Sequence, residues 1–155
     1  MKYNKRQAEN FMQLALVEAK KAFKLGEIPI GCVIVKDDKV IAKGHNLREH
    51  SHKTLGHAEV IAINQANDFL KSWRLNGCSL FVTLEPCIMC SGAILNGRFD
   101  EVYYGAPDSK SGVAGTLYDL LNDPRLNHSV NVQKGILEKQ CLKLLQDFFE
   151  LNRKK

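Results

Sequence analysis

The sequence predicts an α/β domain with three layers, in which helices cover both faces of a mixed β-sheet. A strand hairpin follows the first helical segment, and helices and strands then alternate along the chain, an order typical of this class. The length of 155 residues and the apolar content of 45% suit one compact domain with a sizeable core. We therefore interpret residues 1–155 as a single domain with its functional site at strand ends.

The first half of the chain begins with a helix whose apolar residues recur at helical spacing and which ends before Gly26. Two mostly apolar segments joined by Asp37-Asp38 then predict a β-hairpin, and Pro29 suits the start of its first strand. A polar loop leads to a second helix that opens at His57. The first helix is predicted at residues 7–25 and the two strands at 28–35 and 39–44. The loop follows at 45–56 and the second helix at 57–70.

The second half alternates between strands and helices. A turn at Asn76-Gly77 precedes the third strand, and the helix after that strand begins at Cys87. A fourth strand, a loop rich in Gly, Ser and Lys, a short helix, a fifth strand and a last helix with an apolar face are expected to follow. The strands span residues 78–84, 101–104 and 130–132, the loop spans 105–115, and the helices span 87–95, 116–121 and 137 onward.

Cys87 and Cys90 are two of three candidate metal ligands. Their spacing places both sulfurs on one face of the first turn of a helix, where they can bind one ion. Pro86 favours a helix start at this point, and the free amides and positive dipole of a helix N-terminus favour thiolates. By itself, such a pair is equally typical of redox-active cysteines or of cysteines packed in a core.

His57 and Glu59 supply what the cysteine pair lacks. His57 is a third soft ligand at a second helix N-terminus, whereas a structural zinc site needs four Cys or His ligands. Three ligands leave a coordination position for water, so we predict one catalytic Zn²⁺ per subunit. Glu59 lies two residues from His57 and is the candidate proton shuttle to a substrate nitrogen. Alone, Glu59 would be interpreted as a carboxylate that stabilises a helix N-terminus.

Charge and composition limit the class of protein and its partners. The net charge of +5 favours a polyanionic partner, although many ordinary soluble proteins are this basic. Residues 1–10 lack the apolar core of a signal peptide and no later segment is long enough to span a membrane, so we expect a cytoplasmic protein without a membrane partner. Three further cysteines lie in apolar segments and are expected to be reduced core residues: Cys32, Cys78 and Cys141.

The ligand segments His57-Ala58-Glu59 and Pro86-Cys87-Ile88-Met89-Cys90 resemble those of the zinc-dependent cytidine deaminase superfamily. Within that superfamily the sequence is most similar to the bacterial tRNA-specific adenosine deaminases, along nearly the whole chain. The other matching segments are Glu27-Ile28-Pro29-Ile30-Gly31, His45-Asn46, Thr83-Leu84-Glu85, Gly105-Ala106 with Asp108, Gly112 and Gly115, Asn127-His128, and Asp147-Phe148-Phe149.

This resemblance implies a fold, an assembly and a reaction. The fold is a five-stranded, cytidine deaminase-like sheet between helices, and the assembly is a homodimer. The reaction is hydrolytic deamination of adenosine to inosine at the wobble position of a tRNA anticodon stem-loop, in which Glu59 protonates the adenine ring and then the departing ammonia. No nucleotide cofactor is expected.

The resemblance also implies which residues bind the substrate. Asn46 matches a residue that hydrogen-bonds the target base, and Ile28 and Pro29 match residues that line the base pocket. Asp108 and Lys110 lie in a loop that resembles the RNA-contacting loop of the family. Without the resemblance, these five would be interpreted as a turn residue, two core residues and two solvated loop residues.

Phe148 and Phe149 are adjacent on the last helix, so they cannot share one face and at least one is expected in the core. We hypothesise that Phe149 and the basic tail Arg153-Lys154-Lys155 line the RNA path. An aromatic ring beside cations suits base stacking and phosphate contact in single-stranded nucleic acid.

Two other classes of function stay open. A deaminase of a free nucleobase or nucleotide, such as guanine, cytosine or deoxycytidylate, would share the zinc, the glutamate and much of the fold, but the basic charge and Thr83-Leu84-Glu85 disfavour it. A non-catalytic zinc or redox module would keep its activity after the substitution Glu59→Gln.

Two residues depart from the family pattern. Gly56 replaces the usual Ala before the histidine ligand. Pro107 lies in a variable position of the loop and is expected to alter how far Asp108 extends toward the RNA.

Overall fold

The computed structural model describes residues 1–153, and within that range the chain forms five helices and five strands. In chain order they are α1 (Lys5–Lys24), β1 (Gly31–Lys36), β2 (Lys39–His45), α2 (Arg48–Ser51), α3 (Ala58–Leu70), β3 (Cys78–Leu84), α4 (Ile88–Gly97), β4 (Glu101–Ala106), β5 (Asn131–Gln133) and α5 (Glu138–Arg153). Two residues of the predicted basic tail, Lys154 and Lys155, lie outside the described residues. No helix in the described range is both long and apolar enough to cross a membrane.

The sheet is mixed and five-stranded, as predicted, with the order β2-β1-β3-β4-β5. β1 pairs antiparallel with β2 and β3, whereas β3, β4 and β5 run parallel. Gly31 at the start of β1 pairs with His45 at the end of β2, and Leu84 and Ala106 pair at the ends of β3 and β4. The segments before β1 and after β2, β3 and β4 therefore meet at one edge of the sheet.

Successive strand residues alternate between two hydrophobic cores, one on each face of the sheet. Leu80 and Val82 of β3 face the core that contains Ala62 of α3 and Ile94 of α4. Phe81, between them, faces the core formed with α1 and α5 and stacks on Tyr103 of β4 at a centroid distance of 4.4 Å. Because both faces are covered by helices, the predicted three-layer α/β/α class is confirmed.

Helix α1 begins two residues earlier than predicted because a capping box precedes it. The Asn4 side chain accepts a hydrogen bond from the Gln7 amide, and the Gln7 side chain accepts one from the Asn4 amide. The last turn of the helix ends at Lys24, and Leu25 is the C-cap.

Two predictions for connecting segments were wrong. No helix forms at 116–121, where the chain instead makes a bridge between Ala114 and Asp119. The predicted loop at 45–56 contains the short helix α2, whose Glu49 and His50 amides donate to the buried carboxylate of Glu27. Strand β1 also begins at Gly31 instead of residue 28.

Candidate active site

A cavity of about 450 Å³ opens at the sheet edge where the four strand ends meet. Residues that precede β1, follow β2 and begin α3 form part of its wall, and residues from the 107–111 segment and from α5 complete it. The volume lies in the range of small-molecule binding sites.

His57, Cys87 and Cys90 converge beside this cavity. His57 is the N-cap residue of α3, Cys87 is the N-cap residue of α4, and Cys90 lies in the first turn of α4. The Nδ1 atom of His57 is 3.6 Å from the Sγ atom of each cysteine, and all three ligand atoms lie within 4.8 Å of one another. The N-termini of α3 and α4 therefore lie close together, with the three predicted ligand atoms around one potential metal position.

The two nitrogen–sulfur distances in this group match a tetrahedral zinc site. With Zn–S bonds of about 2.3 Å and Zn–N bonds of about 2.0–2.1 Å, tetrahedral geometry separates sulfur and nitrogen by about 3.6 Å. The separations of His57 Nδ1 from Cys87 Sγ and Cys90 Sγ have this value. Two cysteine sulfurs and an imidazole nitrogen at these separations therefore fit a zinc ion.

Hydrogen bonds among these three side chains also stabilise negative charge on the Cys87 sulfur. A hydrogen bond from Cys90, reinforced by His57, lowers the pKa of Cys87 to about 4. The same hydrogen bond and burial raise the pKa of Cys90, and the hydrogen bond with Cys87 raises the pKa of His57. The Cys87 sulfur is therefore a thiolate stabilised by hydrogen bonds from Cys90 and His57. A bound metal cation would replace the protons of those two donors.

Glu59 lies in the first turn of α3 and lines the same cavity, although its side chain is 4% exposed. Burial raises the pKa of Glu59 to about 7. A buried titratable group with a shifted pKa in a cleft is typical of functional sites.

Asn46 is fixed by hydrogen bonds at the cavity wall. Its side-chain nitrogen donates to the Ile28 carbonyl over 3.3 Å, and its side-chain oxygen accepts from the Arg48 amide over 3.1 Å. Its main-chain amide donates to the Ile30 carbonyl over 3.1 Å. An amide side chain has two N–H groups and two oxygen lone pairs, so Asn46 keeps capacity for one further bond of each kind.

Most of the other predicted substrate-binding residues also line the cavity. They are Ile28, Asp108, Lys110 and Phe149. Pro29 differs, because it is buried beside the cavity while Ile28 and Ile30 on either side form the wall. Phe148 is buried and packs edge-on against Phe23 of α1, which confirms the expectation that one of the two adjacent aromatics belongs to the core.

Comparisons with known proteins agree with this geometry. The model of the MafB19-like deaminase family matches residues 6–153. A protein named tRNA-specific adenosine deaminase from Streptococcus pyogenes serotype M18 (strain MGAS8232) is 50% identical over 155 residues, which are 100% of this chain and 98% of that protein. This chain belongs to the tRNA-specific adenosine deaminase family.

Two further comparisons extend the likeness within the family. A tRNA-specific adenosine deaminase from Bacillus subtilis (strain 168) is 47% identical over 96% of this chain and 92% of that protein. A solved structure from a study of A-to-I editing by tRNA:A34 deaminases at the wobble position of transfer RNA has a TM-score of 0.84 and 39% identity. The alignment covers 87% of this chain and 98% of the chain in that structure. The fold of the family is thus the fold of this chain.

Several residues that line the cavity were not identified from the sequence. Arg48 follows Asn46 by two positions, and Leu142 and Gln146 precede Phe149 on α5. The α5 residues could have been found, because spacings of four and three place all of them on one helix face. Arg48 could not be found by periodicity, because it lies in the short helix α2, whose amides are held by the distant carboxylate of Glu27.

Proposed function

We propose that this protein is a zinc-dependent hydrolase that deaminates adenosine to inosine at the wobble position of a tRNA anticodon stem-loop. One observation carries the proposal: three zinc-type ligands and the buried carboxylate of Glu59 converge at one cavity, in a chain of the tRNA-specific adenosine deaminase family. We also propose a cytoplasmic homodimer with one zinc ion in each subunit.

The residues of the cavity divide the chemical work. His57, Cys87 and Cys90 would hold the zinc ion, which would supply a Lewis acid that lowers the pKa of water toward neutrality. Glu59 takes a proton from the attacking water and delivers it to the adenine ring as the water oxygen bonds to the ring carbon that carries the amino group. Glu59 then takes the second proton of that oxygen and transfers it to the amino group, whose bond to the carbon breaks so that ammonia leaves. The overall reaction converts adenosine and water to inosine and ammonia, so no oxidant or nucleotide cofactor is needed.

The wall of the cavity positions the base. Asn46 lines the cavity, and its remaining hydrogen-bonding capacity suits the polar edge of adenine. Ile28 lines the cavity beside it and offers an apolar surface to the ring. Because the Asn46 amide is already held by the Ile28 carbonyl and the Arg48 amide, it binds the base without losing rotamer freedom.

The mouth of the cavity suits RNA. Arg48 and Lys110 contribute positive charge, and the half-exposed ring of Phe149 offers a surface for base stacking. The side chain of Asp108 accepts hydrogen bonds from the Lys110 and Ser111 amides, so it shapes the turn that presents Lys110. The net charge of +5 favours the same polyanionic substrate.

A substrate panel tests this proposal against its alternative. Zinc-loaded protein is incubated with an anticodon stem-loop that carries adenosine at the wobble position, with the same stem-loop whose adenosine is moved by one nucleotide, and with free adenosine, guanine, cytosine and deoxycytidylate. We expect inosine and an equal amount of ammonia from the first substrate alone. Ammonia from a free base or nucleotide, with no inosine in the stem-loop, would instead assign the protein to the free-base deaminases.

A further inference from the structure

Glu85 connects the metal-ligand segment to the loop at the cavity mouth. It follows the last residue of β3 and precedes Cys87 by two positions, and its side chain is 2% exposed. Its main-chain amide donates to the carbonyl of Ala106, the last residue of β4. Glu85 therefore lies where the chain leaves two neighbouring parallel strands.

The carboxylate of Glu85 accepts four hydrogen bonds, all from residues 107–116, here called the 107–116 loop. One oxygen accepts from the Asp108 amide over 3.0 Å and from the Thr116 hydroxyl. The other accepts from the Ala114 amide over 2.9 Å and from the Thr116 amide over 3.1 Å. A carboxylate has about four lone-pair positions, so the loop occupies all of them.

Gly112 shows how closely the loop surrounds this carboxylate. A Cβ atom at Gly112 would overlap the carboxyl group of Glu85 and would lie 2.7 Å from the carbonyl oxygen of Asp108. The main chain of the loop thus packs directly on Glu85. The shape of the loop is set by this buried carboxylate as well as by its own turns.

The same loop forms one wall of the cavity, through Pro107, Asp108, Ser109, Lys110 and Ser111. The Val113 amide also donates to the Pro86 carbonyl, so a second hydrogen bond joins the loop to the segment of Glu85. Since Lys110 is exposed and lies at the turn that Asp108 caps, its direction follows from the position of the loop.

We propose that Glu85 is a positioning residue for RNA recognition: its carboxylate holds the 107–116 loop in the conformation that contacts the nucleotides flanking the target adenosine. This inference rests on the proposed function. Glu85 does not act on the base, because its four acceptor positions are used within the protein. Its substitution therefore weakens RNA binding and leaves the zinc site intact.

The test compares Glu85→Gln with Glu101→Gln, each introduced into the inactive Glu59→Gln protein so that the stem-loop is not consumed. Glu101 is an equally buried glutamate that accepts hydrogen bonds from Ser79, Tyr103 and the Lys2 amide, at the start of β4 and remote from the cavity. Both substitutions remove a buried charge. Only Glu85→Gln turns an amide NH₂ toward the N–H groups of the loop.

Three readouts are taken for each variant: the Kd for a wobble-adenosine stem-loop, the zinc content, and the rate at which trypsin cleaves the native protein after Lys110. We expect Glu85→Gln to raise the Kd by about tenfold or more, since hydrogen bonds to charged groups are the stronger ones. Cleavage after Lys110 should accelerate, and zinc content should stay at the level of the parent. Glu101→Gln should change neither the Kd nor the cleavage.

Equal Kd values and equal cleavage rates for Glu85→Gln and its parent would overturn the proposal. So would equal effects of Glu85→Gln and Glu101→Gln, because general destabilisation would then explain both. If Glu85→Gln does not fold, Thr116→Val decides, since it removes one donor from an exposed residue and should raise the Kd in the same direction. Failure of the parent protein itself to bind the stem-loop would contradict the proposed function and not the role of Glu85.

Discussion

Gly44 and Ala58 pack main chain against main chain where β2 meets the first turn of α3. A Cβ atom at Gly44 would lie 2.6 Å from the Ala58 carbonyl oxygen and 3.0 Å from the Ala62 nitrogen, closer than nonbonded atoms pack. Ala58 lies between His57 and Glu59. The contact therefore fixes the distance between β2 and the segment that carries His57 and Glu59.

Substitution of Gly44 by Ala should move the start of α3 away from β2. We expect a loss of about 1–3 kcal/mol in the free energy of unfolding, as for other overpacked core positions. Zinc should also be lost more readily on dialysis, because His57 moves relative to the cysteines. Urea unfolding and zinc content per chain measure the two effects.

Gly92→Ala in α4 is the matched control for Gly44→Ala. A Cβ atom at Gly92 would meet no atom within 4 Å, and alanine favours a helix interior by about 0.5–1 kcal/mol. We expect equal or greater stability with unchanged zinc content. If Gly44→Ala retained zinc as well as Gly92→Ala does, close packing at Gly44 would not position the site.

Cys87→Ser and Cys90→Ser should each weaken zinc binding by more than the roughly 10- to 100-fold that changes outside the ligand shell cost. Serine keeps the size of the side chain but is a poor ligand for zinc. Cys78→Ala serves as the control, because Cys78 is a buried cysteine at the opposite end of β3. Competition with a metal-binding dye gives the affinities, and equal affinities for all three variants would contradict the ligand assignment.

Removal of zinc by a chelator should abolish deamination while leaving the protein folded. The two hydrophobic cores are formed by residues other than His57, Cys87 and Cys90, whereas small structural zinc domains depend on the metal for folding. We expect an unchanged far-ultraviolet circular dichroism spectrum and a cooperative thermal transition. Unfolding upon chelation would instead identify a structural zinc site.

Phe148 and Phe149 should respond differently to substitution by alanine. Phe148 is 7% exposed and packs on Phe23, so Phe148→Ala should cost about 3–5 kcal/mol of stability. Phe149 is 46% exposed at the cavity mouth, so its loss should weaken stem-loop binding by about 1–3 kcal/mol, the range for base stacking on an aromatic ring. Unchanged RNA binding together with lowered stability in Phe149→Ala would assign this ring to the core.

The candidate metal ligands could be located from the sequence because their signals are local. His57 and Cys87 each precede an apolar helical segment, and both are N-cap residues in the structure. Cys90 follows from the three-residue spacing alone. The class of the sheet could also be predicted, since the order of helices and strands and the alternation of buried residues are properties of short segments.

The conformations of two segments beside the cavity, α2 and the 107–116 loop, could not be predicted, because distant buried carboxylates determine them. The amides of α2 bind Glu27, and those of the 107–116 loop bind Glu85; in each case the partner lies at least 22 residues away along the chain. The residues before β1 were similarly interpreted as a strand, but the carbonyls of Ile28 and Ile30 accept hydrogen bonds from Asn46. Such long-range contacts have no periodic signature in the sequence.

Under the proposed function, Glu59 moves the protons during deamination of the wobble adenosine, beside a zinc ion held by the candidate ligands. The most direct measurement is the single-turnover rate of inosine formation in a wobble-adenosine stem-loop, for wild-type protein and Glu59→Gln at equal zinc content. We predict one inosine and one ammonia per stem-loop for the wild type, and a rate at least about 100-fold lower for Glu59→Gln, with unchanged RNA binding. Equal rates for the two proteins would exclude Glu59 as the proton shuttle, and no inosine from the wild type would exclude the proposed reaction.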